Sequence, residues 1–185
     1  MTLPPPLAQY RTLIVEGHEG PGRGRLIADL AQLGFQVRRM PPFLHHLDPN
    51  LPYRELLAGP DRLAVDGGLV AELVHGPLRR GRSRVTWIQA LDFAEAVAER
   101  DGAMLHLTAT GRAAGRPGHE PAHEQGCSQA TEAAEAALAY ARAFRTLAQH
   151  VPVVTVDLGE TGRPIRAPAS RPSQVWRNAR QLTIG

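Results

Sequence analysis

The stretch LIVEGHEGPGRGRL at residues 13–26 decides how this chain is read. An apolar run, Leu13-Ile14-Val15, leads into a turn holding Gly17, Gly20, Gly22 and Gly24. The turn leads in turn into a helical pattern with Leu26, Leu30 and Leu33 on one face. Laid on G-x-x-x-x-G-K-[ST], the turn supplies its two glycines as Gly17 and Gly22. Arg23 then stands at the lysine position and Gly24 at the hydroxyl position. The setting of strand, glycine-rich turn and helix is met, and the two diagnostic side chains are not.

Outward from this turn, short apolar runs alternate with helical patterns. Strands are expected at 11–17, 35–40, 62–66, 103–109 and 151–157. Helices are expected at 24–35, 53–59, from 69 to about Val74, at 87–100 with Thr86 as its cap, at 130–149, and near 173–182. Gly76-Pro77 reads as the opening of a basic loop carrying Arg79, Arg80, Arg82 and Arg84, and residues 41–52 and 110–127 read as loops. Such alternation calls for an α/β fold, a three-layer sandwich with a central parallel sheet and helices on both faces. One domain over 1–185 is expected, with 1–10 as an N-terminal extension and 110–127 as a lid-like loop.

Composition excludes several classes. At 185 residues and 43% hydrophobic content the chain can bury a full core. Its apolar runs are too short to span a bilayer, and MTLPPP lacks the pattern of a signal peptide. Cys127 is the single cysteine, so no internal disulfide can form, and a cytoplasmic location is expected. All 21 basic residues are arginine, in a chain of net charge +3. The Ala, Gly and Pro abundance points to GC-rich coding, which makes arginine in place of lysine less diagnostic. HEPAH at 119–123 spells the letters of a zinc-protease motif, but Pro121 denies it the helix that chemistry needs. Trp87, Trp176, Tyr140 and Phe144 read as packing residues. No aromatic residues interleave with the basic ones, so nucleic-acid binding rests on arginine excess alone.

A second stretch, YRELLAGPDRLAVDGGLVAELVHGPLRRGRSR at 53–84, joins the first. Together they resemble the thymidylate kinase-like family of P-loop nucleotide kinases, especially its phage-type members. Asp66 falls on the Asp of the family's Asp-Arg motif, Glu72 on its Glu, Gly76-Pro77 on its Gly-Pro, and Arg80-Gly81 on its Arg-Gly. The resemblance covers residues 11–109 by motif and the rest by element order. It implies a P-loop NTPase fold, ATP with Mg²⁺ as cofactors, and a deoxynucleoside monophosphate as acceptor. It also implies a homodimer, as family members often are. On this reading Gly17, Gly20, Gly22, Arg23 and Gly24 cradle phosphate, with Arg112 and Arg116 reaching over from the lid. Arg23, Asp66 and Arg80 are the catalytic candidates, and Asp66 is also the metal ligand.

The sequence departs from the pattern where the chemistry lies. Arg23 is a broad planar fork rather than a compact ammonium. Gly24 has no hydroxyl for a metal, and Pro21 has no N–H for the cradle. Gly67 stands where the motif has arginine, Ala71 where it has serine and His75 where it has tyrosine. Removing even one preorganised donor costs about 10²–10³ in rate. Three readings are therefore carried: an active nucleoside monophosphate kinase, a degenerate kinase-like protein that binds nucleotide or phosphate with little or no transfer, and a basic nucleic-acid-binding module. The altered positions favour the second.

Overall fold

In the computed structural model, which describes residues 5–40, 48–109 and 125–158, β1 (Thr12–Gly17) is the central strand of a parallel sheet. Its neighbours are β3 (Leu63–Asp66) on one side and β4 (Gly102–Thr108) on the other. β2 (Gln36–Arg39) and β5 (Val153–Asp157) complete the order β2-β3-β1-β4-β5. Every residue of β1 is buried, which explains why its sequence is apolar on both faces rather than alternating. Leu13 and Val15 join Ala64, Leu105 and Leu107 on one face, under α1 (Pro21–Gln32). Ile14 joins Val65 and Met104 on the other, under α2 (Leu51–Ala58), α3 (Leu69–Arg80), α4 (Trp87–Glu99) and α5 (Gln125–Leu147). Helices thus cover both faces, as the alternation of patterns requires. Leu7, in a short 3₁₀ turn at Pro5–Gln9, is fully buried in the α1-side core.

Three boundaries differ most from the sequence reading. α1 starts at Pro21 rather than at Gly24. Proline suits a first helical position, because its φ is already set and its missing N–H would have no partner inside the helix. α3 runs straight through Gly76-Pro77 to Arg80 instead of stopping near Val74. Pro77 forfeits one bond close to the helix end, and the missing Cβ of Gly76 lets the backbone of Arg82 and Ser83 approach. Arg79 and Arg80 lie in that last turn, where cations complement the helix dipole, and Gly81 ends the helix at φ +71. α5 begins at Gln125, inside the segment expected to be a loop. Trp87 is a further correction: it stands 45% exposed on the first turn of α4, outside the core. The expected helix near 173–182, Trp176 and HEPAH fall outside the described residues.

Thr86 caps α4 with a reciprocal box: its hydroxyl accepts from the Gln89 N–H at 3.2 Å, and the Gln89 side chain accepts from the Thr86 N–H at 2.9 Å. Thr86→Ala is expected to lower stability by about 1 kcal/mol in chemical denaturation. An unchanged midpoint would show that α4 is held by its packing alone. Among the described residues, no helix is long and apolar enough to cross a membrane.

Candidate functional site

The crossover from β1 runs past β3 to β2, whereas the crossover from β3 runs the other way, past β1 to β4. Open α/β sheets place ligands beyond the carboxyl ends of strands at such a point. There the chain turns at Gly17, whose φ of +114 and close approach to β4 both demand glycine. A Cβ would lie 2.4 Å from the Leu107 carbonyl oxygen. The His18 N–H donates to that same carbonyl at 2.8 Å, which fixes the turn to β4. Gly20 caps α1 in an extended conformation, and the Arg23 N–H donates to its carbonyl at 3.0 Å. Two backbone donors of the expected cradle are therefore bonded within the fold, and Pro21 contributes none. Gly22 packs on Leu158, whereas a Cβ on Gly24 would meet nothing within 4 Å. The glycines expected to cradle phosphate are thus physically unlike one another.

Arg23 and Asp66 are brought together. The Arg23 guanidinium donates to Asp66 Oδ1 at 2.8 Å and to the Val15 carbonyl at 3.0 Å. Arg39, at the end of β2, donates through Nε to Asp66 Oδ2 at 3.0 Å. The Arg23 and Asp66 side chains are only 17% and 7% exposed, so their pair is largely desolvated; Arg39, at 80%, keeps its contact with solvent. Asp66 faces the α1 side of the sheet, as Ala64 does, so α1 can reach it across β1. Arg39 was not singled out in the sequence. The signal for it was slender: two arginines closing a short strand beside an aspartate-ending one.

The magnesium implied by the family resemblance does not fit these residues as arranged. Such an ion takes one or two carboxylates together with ligand phosphates. Both oxygens of Asp66 already accept from guanidiniums, and Gly24 offers no hydroxyl. Asp157, which ends β5, is not free either. Among the described residues no three His, Cys, Asp or Glu side chains gather as a metal site.

Gly67 also acquires a physical reason. Its φ is +104, a turn that side-chain-bearing residues rarely adopt, so the motif arginine could not be restored there without strain. Gly68 follows as the N-cap of α3 and has no side chain to cap with. Glu16 supplies the cap instead. Its carboxylate accepts from the Val70 N–H at 3.2 Å and the Ala71 N–H at 2.6 Å, and a Cβ on Gly68 would sit 2.0 Å from Glu16 Oε1. Burial pushes the Glu16 carboxyl up to about 7, although the two amides and the charge of Arg23 pull it down. Sequence reading passed over Glu16 as part of the strand. An acid closing an otherwise apolar run was the signal.

Beside Glu16 in the β1–β4 register lies His106. Its ring stacks on Phe144 at 4.5 Å between centroids, and the His75 ring meets Tyr140 edge-on at 5.7 Å. Burial lowers the pKa of both histidines and raises that of Tyr140, so all three are neutral near pH 7. Tyr140 and Phe144 are core residues, as expected. Arg80 is paired with Glu72, whose carboxylate also accepts from the Arg84 N–H at 2.8 Å; Arg79 pairs with Glu132 at 3.3 Å. Arg112 and Arg116 lie outside the described residues.

The fold is shared with a solved structure. A crystal structure of the YorR protein from Bacillus subtilis, in complex with phosphorylated GDP, superposes with a TM-score of 0.58 at 12% sequence identity, covering 79% of this chain and 85% of that one. At that identity the likeness establishes the α/β architecture and nothing finer. No family profile matches the chain, and no curated protein is similar to it in sequence.

Proposed function

We propose that the protein binds a nucleotide or its phosphates on a kinase-like fold and carries out little or no phosphoryl transfer. One observation carries the second half of this reading. Arg23 and Asp66, the two groups that transfer would need on the phosphates and on the metal or acceptor, are bonded to each other. Transfer depends on placing charge against the moving phosphoryl group. Groups that satisfy one another must first be separated, and Gly24 and Gly67 supply no replacements.

Support for the first half is the glycine turn at the sheet's carboxyl edge, the start of α1 behind it, and arginine on both sides. ATP is the nucleotide expected from the family resemblance, and the likeness to a structure holding phosphorylated GDP widens the set to purine nucleotides in general. Calorimetric titration with ATP tests the binding. Saturable heat with one site per chain is the expected result. No heat at millimolar ATP or GDP would mean that the loop is a structural relic and that the binding half is wrong.

A further inference from the structure

Asp66 is the acid on which a divalent cation would sit, and its carboxylate is already neutralised. Arg23 reaches Oδ1 from α1 and Arg39 reaches Oδ2 from β2, so two positive charges face one negative and the triad carries a net charge of +1. Arginine does not give up its proton in a protein, so neither guanidinium can step aside by titrating. A divalent cation approaching Asp66 would have to displace one of them and remain close to the other. A metal-free polyphosphate meets the reverse situation. It carries more negative charge than its magnesium complex, and it meets a triad of net positive charge. A guanidinium has five N–H donors in a rigid fork suited to phosphate, and Arg39, largely in solvent, has donors to spare after its bond to Asp66.

We propose that the protein takes its ligand's polyphosphate chain as the metal-free anion, with Arg39 as a phosphate-contacting residue and the Arg23–Asp66 pair standing where the cation would be. The inference rests on the nucleotide-binding reading and adds the state of the phosphate chain and a contact residue to it.

The test is calorimetric titration of the intact protein with ATP, once in EDTA and once in excess Mg²⁺. Three proteins are compared: wild type, Arg39→Ala and Asp66→Asn. Wild type is expected to bind ATP in EDTA at least as tightly as in Mg²⁺. Arg39→Ala, a change at an exposed side chain, is expected to weaken binding in EDTA by about tenfold, the size of one charge-assisted contact. Asp66→Asn removes a negative charge beside the phosphates and is expected to hold or tighten binding in EDTA, whereas a metal-dependent site would lose its ligand. Wild-type binding that needs Mg²⁺, or is tenfold tighter with it, would overturn the inference while leaving nucleotide binding in place. Arg39→Ala binding as tightly as wild type would remove Arg39 from the site. Absence of ATP binding in both conditions would overturn the inference and the binding reading together.

Discussion

Gly17→Ala is expected to cost about 4 kcal/mol or more of folding stability, while Gly24→Ala is expected to be neutral or to gain up to about 1 kcal/mol. The two glycines belong to the same turn, and a motif treats them alike. At Gly17 the added methyl would lie 2.4 Å from the Leu107 carbonyl oxygen and 2.9 Å from its nitrogen, both backbone atoms of the neighbouring central strand. Neither can move without disturbing the β1–β4 ladder, and φ +114 strains any side chain in addition. Gly24 sits exposed inside α1 with nothing within 4 Å, so alanine there improves helix propensity at no steric cost. Urea denaturation of both variants checks the pair. A Gly17→Ala protein within 1 kcal/mol of wild type would mean that the turn has another conformation.

The second large effect concerns Glu16 and pH. Its carboxyl titrates near 7 in the folded chain against an ordinary value of 4.5. The folded state therefore holds a proton that the unfolded chain has released between those values. The stability this contributes is fully present below pH 4.5 and is lost as pH rises toward 7. A difference of that size corresponds to about 3 kcal/mol. His75 and His106, lowered by burial, act in the opposite sense, since they favour unfolding as pH falls below about 6.5. The difference between wild type and Glu16→Gln isolates the acid from them. Glu16→Gln is expected to match wild type near pH 4.5 and to exceed its stability at pH 8. Parallel stability profiles for the two proteins would show that Glu16 is ionised throughout and held by the α3 amides alone.

Much of the fold was legible because its signals are local. The apolar run at 13–15 continues without polar interruption to Glu16, which is what a doubly covered central strand needs. Thr86 announced the start of α4 at the correct residue. α3 was misjudged for a physical reason: Gly76-Pro77 usually breaks a helix, and its tolerance here depends on the returning backbone of 82–83, which no local pattern reveals. The site was legible as a list of residues and not as an arrangement. Arg23 was readable as a departure from lysine. That its partner is Asp66, with Arg39 on the far oxygen, depends on β2, β3 and α1 meeting at one edge. Glu16 was hidden for a similar reason, because the amides it caps lie more than fifty residues further along the chain. Gly67 read as a lost arginine, and its backbone shows a turn that favours glycine in its own right.

The central claim is that Arg23 and Asp66 satisfy each other rather than a transferring phosphoryl group. The most direct measurement is ADP formation from ATP by the wild-type protein at high concentration, with Mg²⁺ and each deoxynucleoside monophosphate in turn. No acceptor-dependent ADP above background is the predicted result. Turnover that requires one particular monophosphate and disappears in Asp66→Ala would contradict the account and make the protein a working kinase.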